Sequence, residues 1–129
     1  MSWSPAFWWH RLQRAWMLQH LADTRYRFMW DTPPPDEWVA LDCETTGLNT
    51  RSDEIIAISA VRIQGDRILT SQRLALLVRP EGAVPATSIR VHRLRGPDVA
   101  GGLAAHEAVQ RLAHLLGNPP LEGHSPWFE

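Results

Sequence analysis

Apolar and polar positions alternate over the segment 38–44. The two alternating sets are Val39, Leu41 and Cys43 on one side and Ala40, Asp42 and Glu44 on the other. Successive side chains of a β-strand point to opposite faces of the sheet. The alternation therefore predicts a strand over 38–43 whose first set enters a core, while both carboxylates point the other way.

Two longer apolar runs follow this segment. Residues 54–63 are rich in Ile and Val, and residues 67–78 form a third run of the same kind. Gly65 and Asp66 lie between them and suit a two-residue hairpin turn. We therefore expect the second and third strands to be antiparallel neighbours, with the turn-forming residues 45–53 connecting the first strand to the second.

The clearest helical periodicity spans 103–116. Gly117 and the pair Pro119-Pro120 supply its stop signal. The predicted buried face consists of Ala105, Ala108, Val109, Leu112, Leu115 and Leu116. A shorter helical turn is expected over 88–94.

A second amphipathic helix is predicted near the N-terminus, beginning at Ser4-Pro5. Its apolar stripe consists of Trp9, Leu12, Trp16 and Met17. We interpret this stripe as the face that packs onto the rest of the chain. The alternative is a helix that docks on a partner protein or a membrane surface, since Trp and Arg suit both interfaces.

Composition divides the chain into three parts. All thirteen basic residues are Arg; residues 1–30 carry a net charge of +3 and five of the seven Trp, whereas residues 31–129 carry −4. Three consecutive prolines in 31–36 favour an extended spacer. We therefore expect a helical Trp/Arg-rich extension over 1–30, a Pro-rich spacer over 31–36 and a folded body over 37–129.

Composition also narrows the cellular setting. A hydrophobic share of 44% with 21% charged residues is typical of a globular protein. Uncharged runs reach at most ten residues, too few for a spanning helix, and Arg11 and Arg14 interrupt any signal peptide. A single Cys is consistent with a reducing interior. The expected location is cytoplasmic, and a membrane is the partner that we favour least.

The two carboxylates of the first strand carry the chemical signal. Asp42 and Glu44 would lie about 6–7 Å apart on one face, where they repel each other unless a cation lies between them. Mg²⁺ and Mn²⁺ prefer such oxygen ligands. Two acids exposed to water at a strand end are the simpler interpretation of this spacing alone. The following Thr-Thr-Gly-Leu and the Ile-rich second strand make the pattern much more specific.

The stretch 39–48 resembles the first motif of the DnaQ-like 3'-5' exonucleases, a family with a ribonuclease-H-like fold. The later hairpin and the helix over 103–116 follow the family's order, so the resemblance covers about residues 37–125. It implies an α/β, ribonuclease-H-like exonuclease fold that is incomplete in this chain and preceded by an N-terminal amphipathic helical extension.

The resemblance also implies a mechanism with two divalent ions, four acids and a general-base His, which releases nucleoside monophosphates from nucleic acid 3' ends. It assigns catalysis and metal binding to Asp42 and Glu44, with Mg²⁺ or Mn²⁺ as the cofactor. The residues that it assigns to the terminal nucleotide are Thr45, Thr46, Gly47 and Leu48. The substrate is then the 3' end of single-stranded DNA or RNA.

The match weakens at the C-terminus. Gly123 and His124 agree with the family's second motif, after which the sequence drifts until Glu129 takes the place of the third metal-binding acid. No counterpart of the catalytic His or the fourth acid follows. We therefore expect a truncated or frameshifted chain with absent or very weak exonuclease activity. The alternative is a non-catalytic remnant or binding module with a weak metal or nucleotide site.

The expected fold also bears on partners. Its first strand pairs with the second strand on one side and with strands after Pro120 on the other, where only 121–124 could begin the pairing. A poorly covered strand edge favours pairing with another chain. We therefore expect a homo-oligomer through the exposed sheet edge, with a DNA polymerase or another protein as a further partner.

Overall fold

The computed structural model of the protein describes residues 5–117 and 121–123. Its elements, in chain order, are α1 (Pro5–Gln19), a 3₁₀ helix (Thr24–Trp30), β1 (Glu37–Thr45), β2 (Ile55–Gln64), β3 (Arg67–Leu77), α2 (Ala86–His92), α3 (Gly96–Val99), α4 (Ala105–Leu116) and β4 (Leu121–Gly123). Within the described residues, no helix is both long and apolar enough to span a bilayer.

The four strands form one sheet in the order β3-β2-β1-β4. The predicted hairpin is confirmed: β2 and β3 are antiparallel, and Gly65 has a φ of +58° in the turn. β4 runs parallel to β1 and pairs with its residues 39–41. The expected pairing of 121–124 with the first strand is thus confirmed for 121–123.

The alternation in β1 is also confirmed. Val39 and Leu41 are buried, and Cys43 packs against the same core, while Asp42 is exposed on the other face. Ile58 and Ala60 of β2 extend this buried face beside β1. One face of the sheet is therefore apolar, and the carboxylates lie on the opposite face.

Helix α4 covers the buried face of the sheet. The helix residues packed in the core are Ala108, Leu112, Leu115 and Leu116. The predicted face was wrong at Ala105 and Val109, which are both exposed, whereas Ala113 is buried. The sheet is not the whole reason for burial: Ala113 lies about 140° from Ala108 around the helix axis, next to His114, on which Tyr26 and Phe28 of the 3₁₀ helix pack.

The start of α4 is fixed by a close approach to the end of β3. The N–H of Leu103 donates to the carbonyl of Leu77 at 2.9 Å, and the N–H of Arg79 donates back to the carbonyl of Leu103 at 2.8 Å. A Cβ atom on Gly102 would lie 2.7 Å from that Leu77 oxygen. Glycine at 102 therefore lets the two backbones meet.

The end of α4 is held by Arg62 of β2. One guanidinium nitrogen donates to Glu37 at 2.7 Å, and another donates to the carbonyl of Leu115. Both charged side chains are largely buried, with 14% and 12% of their surface exposed. This ion pair therefore connects β1, β2 and the last turn of the helix.

The N-terminal segment contacts the body through the 3₁₀ helix. Arg14 donates to the carbonyl of Trp30, and the Trp30 indole lies 3.5 Å from the sulfur of Met17. The 3₁₀ helix in turn places Tyr26 and Phe28 against the ring of His114 on α4. α1 is therefore attached on the α4 side of the sheet.

The favoured interpretation of the Trp stripe was wrong for three of its four residues. Trp9, Leu12 and Trp16 are 68%, 64% and 60% exposed and do not pack onto the described body. The helix contacts the 3₁₀ helix through Arg14 and through Met17, the one stripe residue in this contact. The division of the chain into 1–30, 31–36 and 37–129 stays a prediction.

We predict that Gly102→Ala destabilises the protein by about 1–3 kcal/mol, because the added methyl forces the α4 and β3 backbones apart. Urea unfolding followed by circular dichroism measures the change. The matched control is Gly101→Ala, since a Cβ atom there meets nothing within 4 Å. The control should change stability by less than about 1 kcal/mol, and equal effects of both changes would contradict the close-approach argument.

Candidate active site

The candidate site lies on the face of the sheet opposite α4. We call it the open face, and its residues are Ala40, Asp42 and Glu44 of β1, Ala57, Ser59 and Val61 of β2, and Arg73 and Ala75 of β3. Asp42 is paired in register with Ser59, and Glu44 with Ala57. Small partners on β2 thus leave space beside both carboxylates.

A groove of about 450 Å³ follows the open face beside Asp42. Ser59 and Ala75 form its floor next to the carboxylate, and Thr70 and Arg73 of β3 lie at its far side. The groove therefore presents one carboxylate, two hydroxyls and one guanidinium to a ligand.

Asp42 and Glu44 form no side-chain hydrogen bond or ion pair with any residue that the structure describes. Other acids of the body are engaged: Glu37 pairs with Arg62, and Asp53 and Glu54 accept hydrogen bonds from nearby loops. Two carboxylates on one strand face without such partners repel each other and favour a shared cation.

The loop after β1 is held by the hydroxyl of Thr46. This buried hydroxyl donates to the Asp53 carboxylate at 3.1 Å and accepts from the N–H of Glu54 at 2.9 Å. The N–H of Thr46 also donates to the carbonyl of Glu54 at 2.9 Å. These bonds close the loop between β1 and β2 directly beside the two carboxylates.

Gly47 is required by the same loop. A Cβ atom at this position would clash with a carboxylate oxygen of Asp53, which accepts a hydrogen bond from the N–H of Asn49. The Thr45 hydroxyl donates to the carbonyl of Gly47 at 2.6 Å. Leu48 follows with 88% of its side chain exposed. The turn is therefore tightly bonded internally and leaves Leu48 open to a ligand.

Glu54 extends the network to the segment after β3. Its two carboxylate oxygens accept from the N–H groups of Glu81 and Gly82 at 2.8 and 2.9 Å. The β1–β2 loop and the chain that follows β3 are thereby joined. The site loop is held from both sides.

The carboxylate oxygens of the candidate site provide some, but not all, of the ligands that a divalent cation needs. Asp42 and Glu44 offer two hard oxygen ligands on one face, yet the described residues contain no group of three His, Cys, Asp or Glu that could hold a metal. The predicted third ligand, Glu129, and its neighbour His124 lie outside the described residues.

The sequence-based reasoning did not find Ser59 or Arg73. The two-residue period of β2, with Ile56, Ile58 and Ala60 buried, could have placed Ser59 on the same face of the sheet as Asp42, though not directly beside it. Arg73 could not be placed in this way, because the β2–β3 register shifts between Val61 and Arg62.

A family of exonucleases matches the part of the chain that contains the candidate site. Residues 39–126 match the RNase_T model, described as Exonuclease, and the match covers more than half of the chain. The chain therefore belongs to this exonuclease family. The resemblance drawn from residues 39–48 is thereby confirmed.

Individual relatives are similar over the same region. A DNA polymerase III subunit epsilon-like protein of Rhodobacter capsulatus is 36% identical over 93 residues, which are 71% of this chain and 13% of that protein. An oligoribonuclease of Tropheryma whipplei is 30% identical over 82 residues, which are 59% of this chain and 45% of that protein. The chain thus spans less than half the length of either relative.

Solved structures confirm the fold. The zinc ion bound form of the E. coli exonuclease I complex with single-stranded DNA has a TM-score of 0.63 at 12% identity, covering 70% of this chain and 21% of that chain. Identity at this level shows the architecture alone. The fold is the ribonuclease-H-like exonuclease fold predicted from the sequence.

We predict that Thr46→Val destabilises the protein by about 1–3 kcal/mol, because the Glu54 N–H and the Asp53 carboxylate lose their buried partner. Urea unfolding measures the loss. Thr50→Val is the matched control, since Thr50 is exposed on the same loop. If both variants unfold at the same urea concentration, the hydroxyl does not hold the loop.

Proposed function

We propose that this chain contributes a metal-dependent 3'-5' exonuclease site, which releases nucleoside monophosphates from the ends of single-stranded nucleic acid. The carrying observation is the pair Asp42 and Glu44, unpartnered by any described residue, on the open face of a strand inside the family match. Membership of the exonuclease family supports nuclease chemistry in general.

In this proposal Asp42 and Glu44 hold Mg²⁺ or Mn²⁺, with Glu129 as the third ligand. A bound divalent ion supplies positive charge for the attacking and leaving oxygens at phosphorus. The two carboxylates hold that charge on the open face, beside the groove that contains Ser59 and Arg73. Arg73 offers a guanidinium that can pair with a substrate phosphate.

The loop 45–48 is proposed to receive the 3'-terminal nucleotide. Its internal bonds from Thr45 and Thr46 hold its shape before substrate arrives, and Leu48 offers an exposed apolar surface to the base. Such contacts do not read sequence, because backbone and apolar surfaces meet every nucleotide alike.

The relatives support the substrate and partner parts of the proposal. The structure of exonuclease I has been solved with single-stranded DNA, and another relative is named an oligoribonuclease. We therefore propose both single-stranded DNA and RNA as substrates. The relative named as epsilon-like supports a DNA polymerase as a partner. The proposed location is the cytoplasm, which agrees with the single cysteine.

We expect the 129-residue chain by itself to hydrolyse nucleic acid weakly or not at all. The described residues offer the two carboxylates of Asp42 and Glu44 and contain no group of three His, Cys, Asp or Glu that could hold a metal. The same observation favours a second candidate function, a non-catalytic module that binds a metal ion or a nucleotide weakly. Metal binding and hydrolysis therefore need separate measurements.

We predict that Asp42→Asn and Glu44→Gln each weaken Mn²⁺ binding at least about tenfold, because each removes one charged ligand. Calorimetric titration, with and without a nucleoside monophosphate, measures the affinity. Asp66→Asn removes an equal charge from the exposed hairpin turn and should leave the affinity unchanged. No heat beyond dilution for the unaltered chain would mean that the carboxylates form no metal site.

We predict that any hydrolysis proceeds from the 3' end and is abolished by Asp42→Ala. Single-stranded DNA and RNA labelled at either end, incubated with Mn²⁺, report both rate and direction. Release from the 5' end, or activity that survives Asp42→Ala, would contradict the proposed function. Fast hydrolysis that Asp42→Ala abolishes would instead contradict the expected weakness and mean that another chain supplies the remaining groups.

A further inference from the structure

Three of the four residues of the apolar stripe of α1 point away from the rest of the described chain. Trp9, Leu12 and Trp16 are each at least 60% exposed. The contacts with the 3₁₀ helix use Met17, at one edge of the stripe, and Arg14, which lies on the opposite side of the helix at about 100° per residue. The stripe is therefore an outward-facing surface and no part of the core.

The charge around this stripe is positive on balance. α1 contains Arg11 and Arg14 and no Asp or Glu, and the 3₁₀ helix adds Arg25 and Arg27. Arg14 lies 3.9 Å from Asp31, and Arg25 pairs with Asp23 at 2.7 Å, so the positive excess comes mainly from Arg11 and Arg27. The guanidinium of Arg11 lies 5.8 Å from the Trp8 ring, at the border of the stripe. The body that follows carries the opposite net charge. A complementary surface must therefore be both anionic and able to accept apolar side chains.

An anionic lipid surface meets both requirements. Trp rings favour the boundary between headgroups and acyl chains, and an Arg-containing polar face on the same helix favours anionic lipids. At 15 residues, α1 fits a helix that lies in the plane of this boundary.

Single-stranded nucleic acid is also anionic, but the fold opposes a strand that runs from the carboxylates to α1. The attachment of α1 passes through the 3₁₀ helix to His114 of α4, which covers the buried face of the sheet. Asp42 and Glu44 lie on the open face. The sheet therefore separates the stripe from the proposed nuclease site.

We propose that α1 is an amphipathic anchor that binds an anionic membrane surface through Trp9, Leu12 and Trp16. The anchor needs neither metal nor nuclease activity, so it stands independently of the proposed function. It also replaces the initial expectation that a membrane is the least favoured partner.

Flotation of the full chain with lipid vesicles tests the anchor. The probes are vesicles of pure phosphatidylcholine and vesicles of an equimolar mixture of phosphatidylcholine and phosphatidylglycerol. We expect binding to the mixed vesicles, weaker binding to the neutral ones, and a decrease at high salt. The double change Trp9→Ala with Trp16→Ala should reduce the bound fraction at least about fivefold.

Trp38→Ala is the matched control, because Trp38 is 43% exposed on β1, outside the helix, and its loss should leave flotation unchanged. Circular dichroism melting verifies that each variant is folded, and Leu12→Gln provides a second test of the stripe. Absence of vesicle binding, or binding that survives the Trp9 and Trp16 changes, would overturn the proposal. Loss of self-association or of oligonucleotide binding in the double variant, with no vesicle binding by the unaltered chain, would assign the stripe to those partners instead.

Discussion

The two-residue period of β1 is the constraint on which both the core and the candidate site depend. Val39 and Leu41 are buried against α4 because they alternate with positions that face the open side. Asp42 and Glu44 occupy those other positions. A slip of one residue in the pairing with β2 would place carboxylates in the core and expose the apolar side chains. Burial of the hydrophobic set therefore fixes the positions of the acids.

The alternation in β1 places Asp42 and Glu44 only if the end of the strand is fixed in position. The β1–β2 loop fixes that end. Thr46 and Asp53 close the loop, and Glu54 connects it to the chain after β3. Polar groups that are hydrogen-bonded to one another within this loop are not available to bind a ligand. The engaged acids, Asp53 and Glu54, therefore differ in role from Asp42 and Glu44, although all four lie within a short stretch of sequence.

Periodicity predicted the parts of the fold that are set locally. The alternation in β1, the hairpin at Gly65 and the extent of α4 all follow from near neighbours in sequence. The position of Arg73 does not, because three residues of β3 are added at the register shift beside Val61. The exposure of Val109 and the outward direction of Trp9 also escaped prediction, since each depends on which side of a helix meets a distant surface. Amphipathic patterns identify a face without identifying its partner.

The outward stripe and the open face are compatible because they lie on opposite sides of one sheet. α1 contacts the 3₁₀ helix, which contacts α4 on the buried side of the sheet, whereas the groove beside Asp42 lies on the open face. The charges agree with this separation, since the Arg-rich segment approaches an anionic surface while the acidic body stays away from it. Long-range repulsion is screened beyond about 10 Å at moderate salt, so the orientation rests mainly on contacts made by α1 itself. The fold thus allows attachment and nucleic acid binding at the same time.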